Sequence, residues 1–272
     1  MSTLPDNNHP YAPPEFSVAP RRIVSLIPSM TETLFDLNLG ERVVGRTDYC
    51  TRPEERVSAI PSIGGPKNPN ISAILSLQPD LVIANHEENR KQDVEALEAA
   101  GITVWVTYPR TVDDVFVLLW DVMNALEETS MVPRVRLIEY QYDWVKGLFL
   151  DEKDLPRVFV PIWKNPLMTI SSDTYMHDLL AVCGGENVFA DQEARYPQIT
   201  LADVEASQPD IVLLPEEPYA FTETDAAEFG RLDIPAAKTQ QIHLVDGSLL
   251  SWHGTRIAYA LEKLPVLLKK VR

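Results

Sequence analysis

The phrase "SLQPDLVIAN" (76–85) returns 130 residues later as "ASQPDIVLLP" (206–215). Each reads as the end of a helix, a Pro-Asp turn and a buried strand, because proline and aspartate favour turns and the following residues are almost all apolar. Around these phrases more of the chain falls into register. "RRIVSLIPS" (21–29) has a counterpart in "PRVFVPIWKNP" (156–166), a basic residue followed by a β-rich run that ends at proline. After the first comes "TETLFDLNLGERVVG" (31–45), with Thr31 and Glu32 expected to open the helix and Gly40 to stop it. After the second comes "SDTYMHDLLAVCGGENVF" (172–189), with Ser172, Asp173 and Thr174 at the start and Gly184–Gly185 at the stop. "ISAILSLQPDLVIAN" (71–85) then matches "LADVEASQPDIVLLP" (201–215), and "GITVWVTYP" (101–109) and "QIHLVDG" (241–247) supply a last strand each.

Each half is therefore strand, helix, strand, helix, strand, which predicts an α/β fold of two similar lobes with mainly parallel sheets. The expected division is a disordered N-terminal tail over 1–20, an N-terminal lobe over 21–110, connecting helices over 111–155 and a C-terminal lobe over 156–272. Val135, Ile138, Tyr142, Val145 and Phe149 recur at helical spacing and predict one long helix, a rigid rod joining the lobes with a ligand cleft between them.

The 272 residues carry a net charge of −16, which argues against a nucleic-acid or anionic-membrane partner. The longest apolar run, Val115–Trp120, is far short of the roughly 20 residues that cross a bilayer, so nothing is expected to span a membrane. The first twenty residues are proline-rich and lack the basic start and apolar stretch of a secretory signal, so the chain as written is expected in the cytoplasm, or in the periplasm if a signal has been removed. Cys50 and Cys183 have no CxxC spacing and are expected to be packing residues or free thiols. No GxSxG, P-loop, GxGxxG or HExxH motif occurs, so no catalytic residue is assigned.

Ligands of open α/β sheets bind beyond the carboxyl ends of the strands. The residues expected there are Pro28, Tyr49, Asn85, His86, Tyr108 and Arg110 from the first half, and Trp163, Trp252 and His253 from the second. Lys164 and the stretch from Glu216 to Tyr219 stand close by. Such aromatic walls with a few polar handles suit a large, partly apolar ligand, the alternative being that they pack the lobes. His9, His177 and His243 are expected to be structural or exposed, whereas His86 and His253 could meet from opposite lobes to ligate a metal directly. Gly64–Gly65 is expected to form a tight turn.

In order and spacing, "RRIVSLIPSMTETLFDLNLGERVVGRTDYC", "ISAILSLQPDLVIAN", the long helix and "CGGENVF" resemble the periplasmic cobalamin- and siderophore-binding proteins of ABC importers, the helical-backbone receptors, from about residue 21 to 268. The resemblance implies two lobes on one rigid helix and a chelate delivered to a membrane permease without chemistry. It implies ligand contact at Pro28 and Tyr49, and nearby at Trp163 and Trp252; Gly64 or Gly65 and Asn85 stand where the cobalamin receptor has two further tryptophans. It also implies permease docking through an acidic residue at each lobe tip, with Asp203 at the second and Ser72 at the first. The expected function is a non-enzymatic, monomeric binding protein for a cobalamin-, haem- or siderophore-like chelate, without an intrinsic cofactor. It is either part of an ABC-type uptake system or a cytoplasmic relative of one. An intracellular enzyme acting on a corrinoid and a direct divalent-metal binder are the alternatives.

Overall fold

The structure, a computed structural model, describes residue 9 and residues 11–269. These fall into two compact units. Unit 1 contains the chain up to Pro109, Asp113–Leu137 and His253–Arg256; unit 2 contains Arg110–Val112, Ile138–Trp252 and the chain from Ile257. Of the lead-in, residues 1–8 and 10 lie outside the described residues, and residues 11–20 form neither helix nor strand.

In chain order the first elements are β1 (Ile23–Ser25), α1 (Pro28–Asp36), β2 (Val43–Arg46), α2 (Glu54–Val57), β3 (Gly64–Gly65), β4 (Asn68–Pro69), α3 (Ile71–Ser76), β5 (Leu81–Asn85), α4 (Lys91–Ala99) and β6 (Val104–Thr107). Two helices follow, α5 (Val112–Ala125) and α6 (Val132–Phe149). Then come β7 (Arg157–Phe159), α7 (Tyr175–Val182), β8 (Glu186–Asn187), α8 (Leu201–Ser207), β9 (Ile211–Pro215), α9 (Glu223–Phe229), α10 (Pro235–Lys238), β10 (Ile242–Val245), α11 (Ser248–Ser251) and α12 (Ile257–Leu267).

The sheet of unit 1 has the order β2-β1-β5-β6 and that of unit 2 the order β8-β7-β9-β10. All of these neighbours run parallel. The two sheets are the same arrangement written twice, with Val24 opposite Val82 in one and Val158 opposite Ile211 in the other. Strands β5 and β9 are buried along their whole length, the reason both read as unbroken apolar runs. On one face Val24, Val82 and Ala84 pack with Ile74 of α3 and Leu97 of α4. In unit 2 Phe159, Val212 and Leu214 pack with Val204 of α8, Phe229 of α9 and Ala236 of α10.

The repeated Gln-Pro-Asp phrase does the same work in both sheets. Gln78 and Gln208 take the left-handed conformation that ends α3 and α8. The Asp80 carboxylate accepts the backbone N–H groups of Arg21 and Arg22, both at 2.9 Å, and that of Asp210 accepts Arg157 N–H at 3.0 Å. The two arginines return the contact. Arg22 donates to the Leu77 carbonyl at 2.6 Å and Arg157 to the Ser207 carbonyl at 2.9 Å, satisfying orphan acceptors at the helix ends. The turn thereby ties the end of one helix to the first strand of its sheet.

Some boundaries differ from expectation. Helix α1 opens at Pro28, whose fixed φ suits the first helical position, so Thr31 and Glu32 are buried inside the helix rather than capping it. Asn38, with φ 59°, takes the left-handed position after α1 in place of Gly40. At α7 the Thr174 hydroxyl caps the His177 N–H and Gly184 follows with φ 83°. Gly64–Gly65 and Asn68–Pro69 pair antiparallel as a tight hairpin. The long helix expected from the apolar stripe is α6, with Val135, Ile138, Tyr142 and Val145 buried.

Candidate functional site

In unit 1 several of the expected residues follow the carboxyl ends of β1, β2, β5 and β6. Pro28 is buried at the first position of α1. Tyr49 is 64% exposed and stands beside Gly65 of the hairpin. Asn85 is buried, and its side-chain oxygen accepts the N–H groups of Glu87 at 2.8 Å and Glu88 at 3.2 Å. Its carboxamide therefore shapes the loop that presents His86. That imidazole is exposed and lies 4.6 Å from the Tyr108 ring, at the end of β6. Tyr11, which sequence patterning leaves in the lead-in, stands edge-on to Tyr108 at 5.0 Å and to His86 at 6.1 Å. No motif marks it, because only the fold brings residue 11 to the end of β6.

In unit 2 the loop after β7 presents Trp163, 43% exposed, with its indole N–H donated to the Asn165 carbonyl at 3.1 Å. Its ring meets Tyr219 edge-on at 5.7 Å, and Tyr219 leans on the buried Phe221 at 4.7 Å. The neighbouring cations are already engaged. Lys164 is bound by Asp225 and by Glu228 at 2.8 Å, and these carboxylates hold its ammonium well above the usual lysine range. Arg110 is paired with Asp173, which Arg195 also meets at 3.1 Å. The Arg110 hydrogen bond, with help from Arg195, holds the Asp173 carboxyl below the usual carboxylate range.

Trp252 and His253 stand elsewhere than expected. Helix α11 intervenes between β10 and both residues, and both are buried, at 8% and 5% exposed. The Trp252 carbonyl accepts from the Tyr175 hydroxyl at 3.5 Å within unit 2. His253 groups with unit 1, its ring nitrogens 3.4 and 3.5 Å from the Ser29 hydroxyl oxygen. Burial pushes its imidazole down to about 4, so it is neutral at pH 7. The next residues continue this contact with α1. Thr255 N–H donates to the Thr33 hydroxyl at 3.1 Å, and Arg256 pairs with Glu32 at 3.2 Å. His86 and His253 are thus an exposed and a buried residue of the same unit, not partners from opposite lobes. Among the described residues no group of three or more His, Cys, Asp or Glu side chains is gathered to hold a metal ion.

His177 and His243 are both held below the usual histidine range by burial, and His9 lies 3.1 Å from Asp121. Asp203 is exposed at the start of α8, where its carboxylate accepts the Thr200 N–H at 2.8 Å in a capping box. That hydrogen bonding to Thr200 holds its carboxyl low, so the helix start keeps a negative charge at the surface. Ser72 is exposed in the first turn of α3. No helix among the described residues is long and apolar enough to cross a membrane.

Comparison with known proteins agrees with this architecture. A family model described as "Periplasmic binding protein" matches residues 23–127. The chain is 25% identical over 254 residues to a vitamin B12-binding protein of Vibrio cholerae, covering 91% of this chain and 89% of that one. It is 30% identical over 264 residues to an uncharacterised ABC transporter substrate-binding lipoprotein, YvrC, of Bacillus subtilis, covering 90% and 79%. Among solved structures, the periplasmic vitamin B12-binding protein BtuF of Vibrio cholerae superposes with a TM-score of 0.77 at 22% identity, covering 92% of this chain and 97% of that one. The periplasmic haem-binding protein RhuT from Roseiflexus sp. RS-1 superposes at 0.74 with 23% identity, covering 91% and 97%. With a 30% identical relative matched over most of its length, and the repeated parallel sheets in place, the chain belongs to the periplasmic binding protein family.

Proposed function

We infer that the protein is the substrate-binding component of an ABC importer and that its cargo is a metal chelate of the cobalamin, haem or siderophore type. One observation carries the reading: at the carboxyl ends of its parallel strands, each unit exposes an aromatic group. Tyr49, His86 and Tyr108 stand in unit 1, and Trp163 with Tyr219 in unit 2. Flat aromatic faces hold a large, partly apolar ligand through dispersion and burial of apolar area. The relatives named for vitamin B12 and haem support the same cargo class. Pro28 and Asn85 shape the unit 1 loops, and Arg110 presents a guanidinium already balanced by Asp173. Asp203, exposed and ionised, is assigned to permease docking. The relatives named as periplasmic or lipoprotein support a site of action outside the cytoplasm. As in the non-enzymatic family to which the chain belongs, the ligand leaves as it arrived.

Tryptophan fluorescence titration with cyanocobalamin, haemin and a ferric siderophore tests the reading. Saturable quenching with one of them, weakened by about tenfold in Trp163→Ala and unchanged in Cys183→Ala, is expected. A wild-type protein whose fluorescence and melting temperature ignore all three ligands would sink it.

A further inference from the structure

Tyr11 is held in place by contacts on both sides of it in the chain. The buried Trp105 indole in β6 donates its N–H to the Tyr11 carbonyl at 2.9 Å. An indole N–H inside a protein needs an acceptor, and this one takes it from residue 11. His9 Nε2 lies 3.1 Å from the carboxylate of Asp121 in α5, which is 1% exposed, and the Ala12 N–H closes a turn onto the His9 carbonyl at 3.0 Å. Further along, Ala19 and Pro20 are buried. These anchors hold the backbone of residue 11 against unit 1. The tyrosine ring then projects to the ends of β5 and β6 and stands edge-on to Tyr108 and His86, the arrangement aromatic quadrupoles favour.

We propose that Tyr11 is a ligand-contacting residue and that, with Tyr108 and His86, it forms an aromatic wall selecting a flat conjugated macrocycle over an open-chain ferric chelate. This rests on the chelate-binding reading above and narrows its ligand class. Three rings side by side offer π-faces and edges and little formal charge, which suits a corrin or porphyrin. A ferric trihydroxamate, rimmed by oxygens and without a flat conjugated face, gains less from such rings.

The test compares the full chain with Tyr11→Ala, Tyr11→Phe and Val18→Ala, the last altering a residue of the same segment that is 75% exposed. Affinities for cyanocobalamin, haemin and a ferric trihydroxamate are measured by fluorescence, alongside the melting temperature. Wild type is expected to prefer one of the macrocycles to the trihydroxamate. Tyr11→Ala should weaken that macrocycle about tenfold, Tyr11→Phe less than about twofold, and Val18→Ala not at all. The His86 imidazole proton resonances of the wild type should shift when the macrocycle is added. Macrocycle affinity unchanged in Tyr11→Ala, equal losses in Tyr11→Ala and Val18→Ala, a stationary His86 signal, or a preference for the trihydroxamate each overturns the proposal while leaving chelate binding intact. A wild type that binds none of the three removes the chelate reading, and this inference with it.

Discussion

Gln78 and Gln208 stand 130 positions apart with nearly the same left-handed backbone, φ 47° and 45°. Their side chains differ in duty. Gln208 donates from its amide to the Glu205 carbonyl at 2.6 Å and the Asp233 carbonyl at 2.8 Å, whereas Gln78 is exposed at the end of α3. A non-glycine residue in this conformation costs roughly 1 kcal/mol. Gln78→Gly should therefore be neutral or stabilising by up to about 1 kcal/mol, while Gln208→Gly loses two hydrogen bonds and ends destabilised by about 1 kcal/mol. Chemical denaturation of the two variants measures the contrast, and a loss at Gln78 as large as at Gln208 would refute it.

Gly254 sits at φ 76° with no room for a side chain, because an added Cβ would collide with the Thr33 hydroxyl of α1. Gly254→Ala meets both the strained backbone and the clash, so a loss of about 2–4 kcal/mol is expected. Thermal melting reads it directly. Gly254→Ala should cost less when introduced into Thr33→Ala than into the wild type, since the colliding hydroxyl is then gone, while the 3.2 Å approach to the residue-33 Cβ and the backbone strain remain.

His253 makes stability depend on pH with a definite sign. Its folded pKa lies near 4 against an ordinary value of 6.5, so between those values the unfolded chain binds the proton and the folded chain does not. The contribution is fully present above about 6.5 and is lost as the pH falls toward 4, a total of about 3 kcal/mol. His253→Gln cannot titrate. The difference in unfolding free energy between wild type and this variant should shrink or reverse as the pH is lowered from 7 to 4. A difference constant with pH would rule out the buried neutral imidazole.

Both thiols should be silent in the native protein. Burial pushes the Cys183 thiol up to about 12, and burial likewise raises Cys50, whose sulfur lies 3.0 Å from the Thr31 hydroxyl. Thiolate is the reactive form, so a disulfide-exchange reagent should titrate no cysteine at pH 7.5 and both after denaturation. Rapid modification of either in native buffer would contradict this burial.

Much of the scaffold was legible because it rests on local chemistry that recurs. The apolar runs of β5 and β9 announce strands buried on both faces, and the Pro-Asp turns announce where each begins. The stripe from Val135 to Val145 marks the inner face of α6. Less legible was the start of α1. Thr31 looked like a cap, yet Pro28 opens the helix three residues earlier, and such boundaries depend on which backbone groups find partners.

The candidate site divides in the same way. Tyr49 and Trp163 are exposed, as residues just beyond strand ends are expected to be. Trp252 and His253 lie near the end of β10 in sequence, but α11 carries them into buried positions, and nothing in their spacing records that. Tyr11 is the converse case, a residue in a patternless segment that the Trp105 indole and the Asp121 carboxylate bring to a strand end.

By itself, then, the amino-acid sequence determined the duplicated alternation of strand and helix and the Gln-Pro-Asp turns, because periodicity and turn chemistry act over a few residues and repeat in each half. The fourth strand of each four-stranded sheet and the Arg–Asp exchange came only from the structure. Only the tertiary structure decided which aromatic side chains reach the surface at the strand ends. Burial depends on what packs from distant positions: Ser29 against His253, Thr33 against Gly254, and Tyr11 against Tyr108.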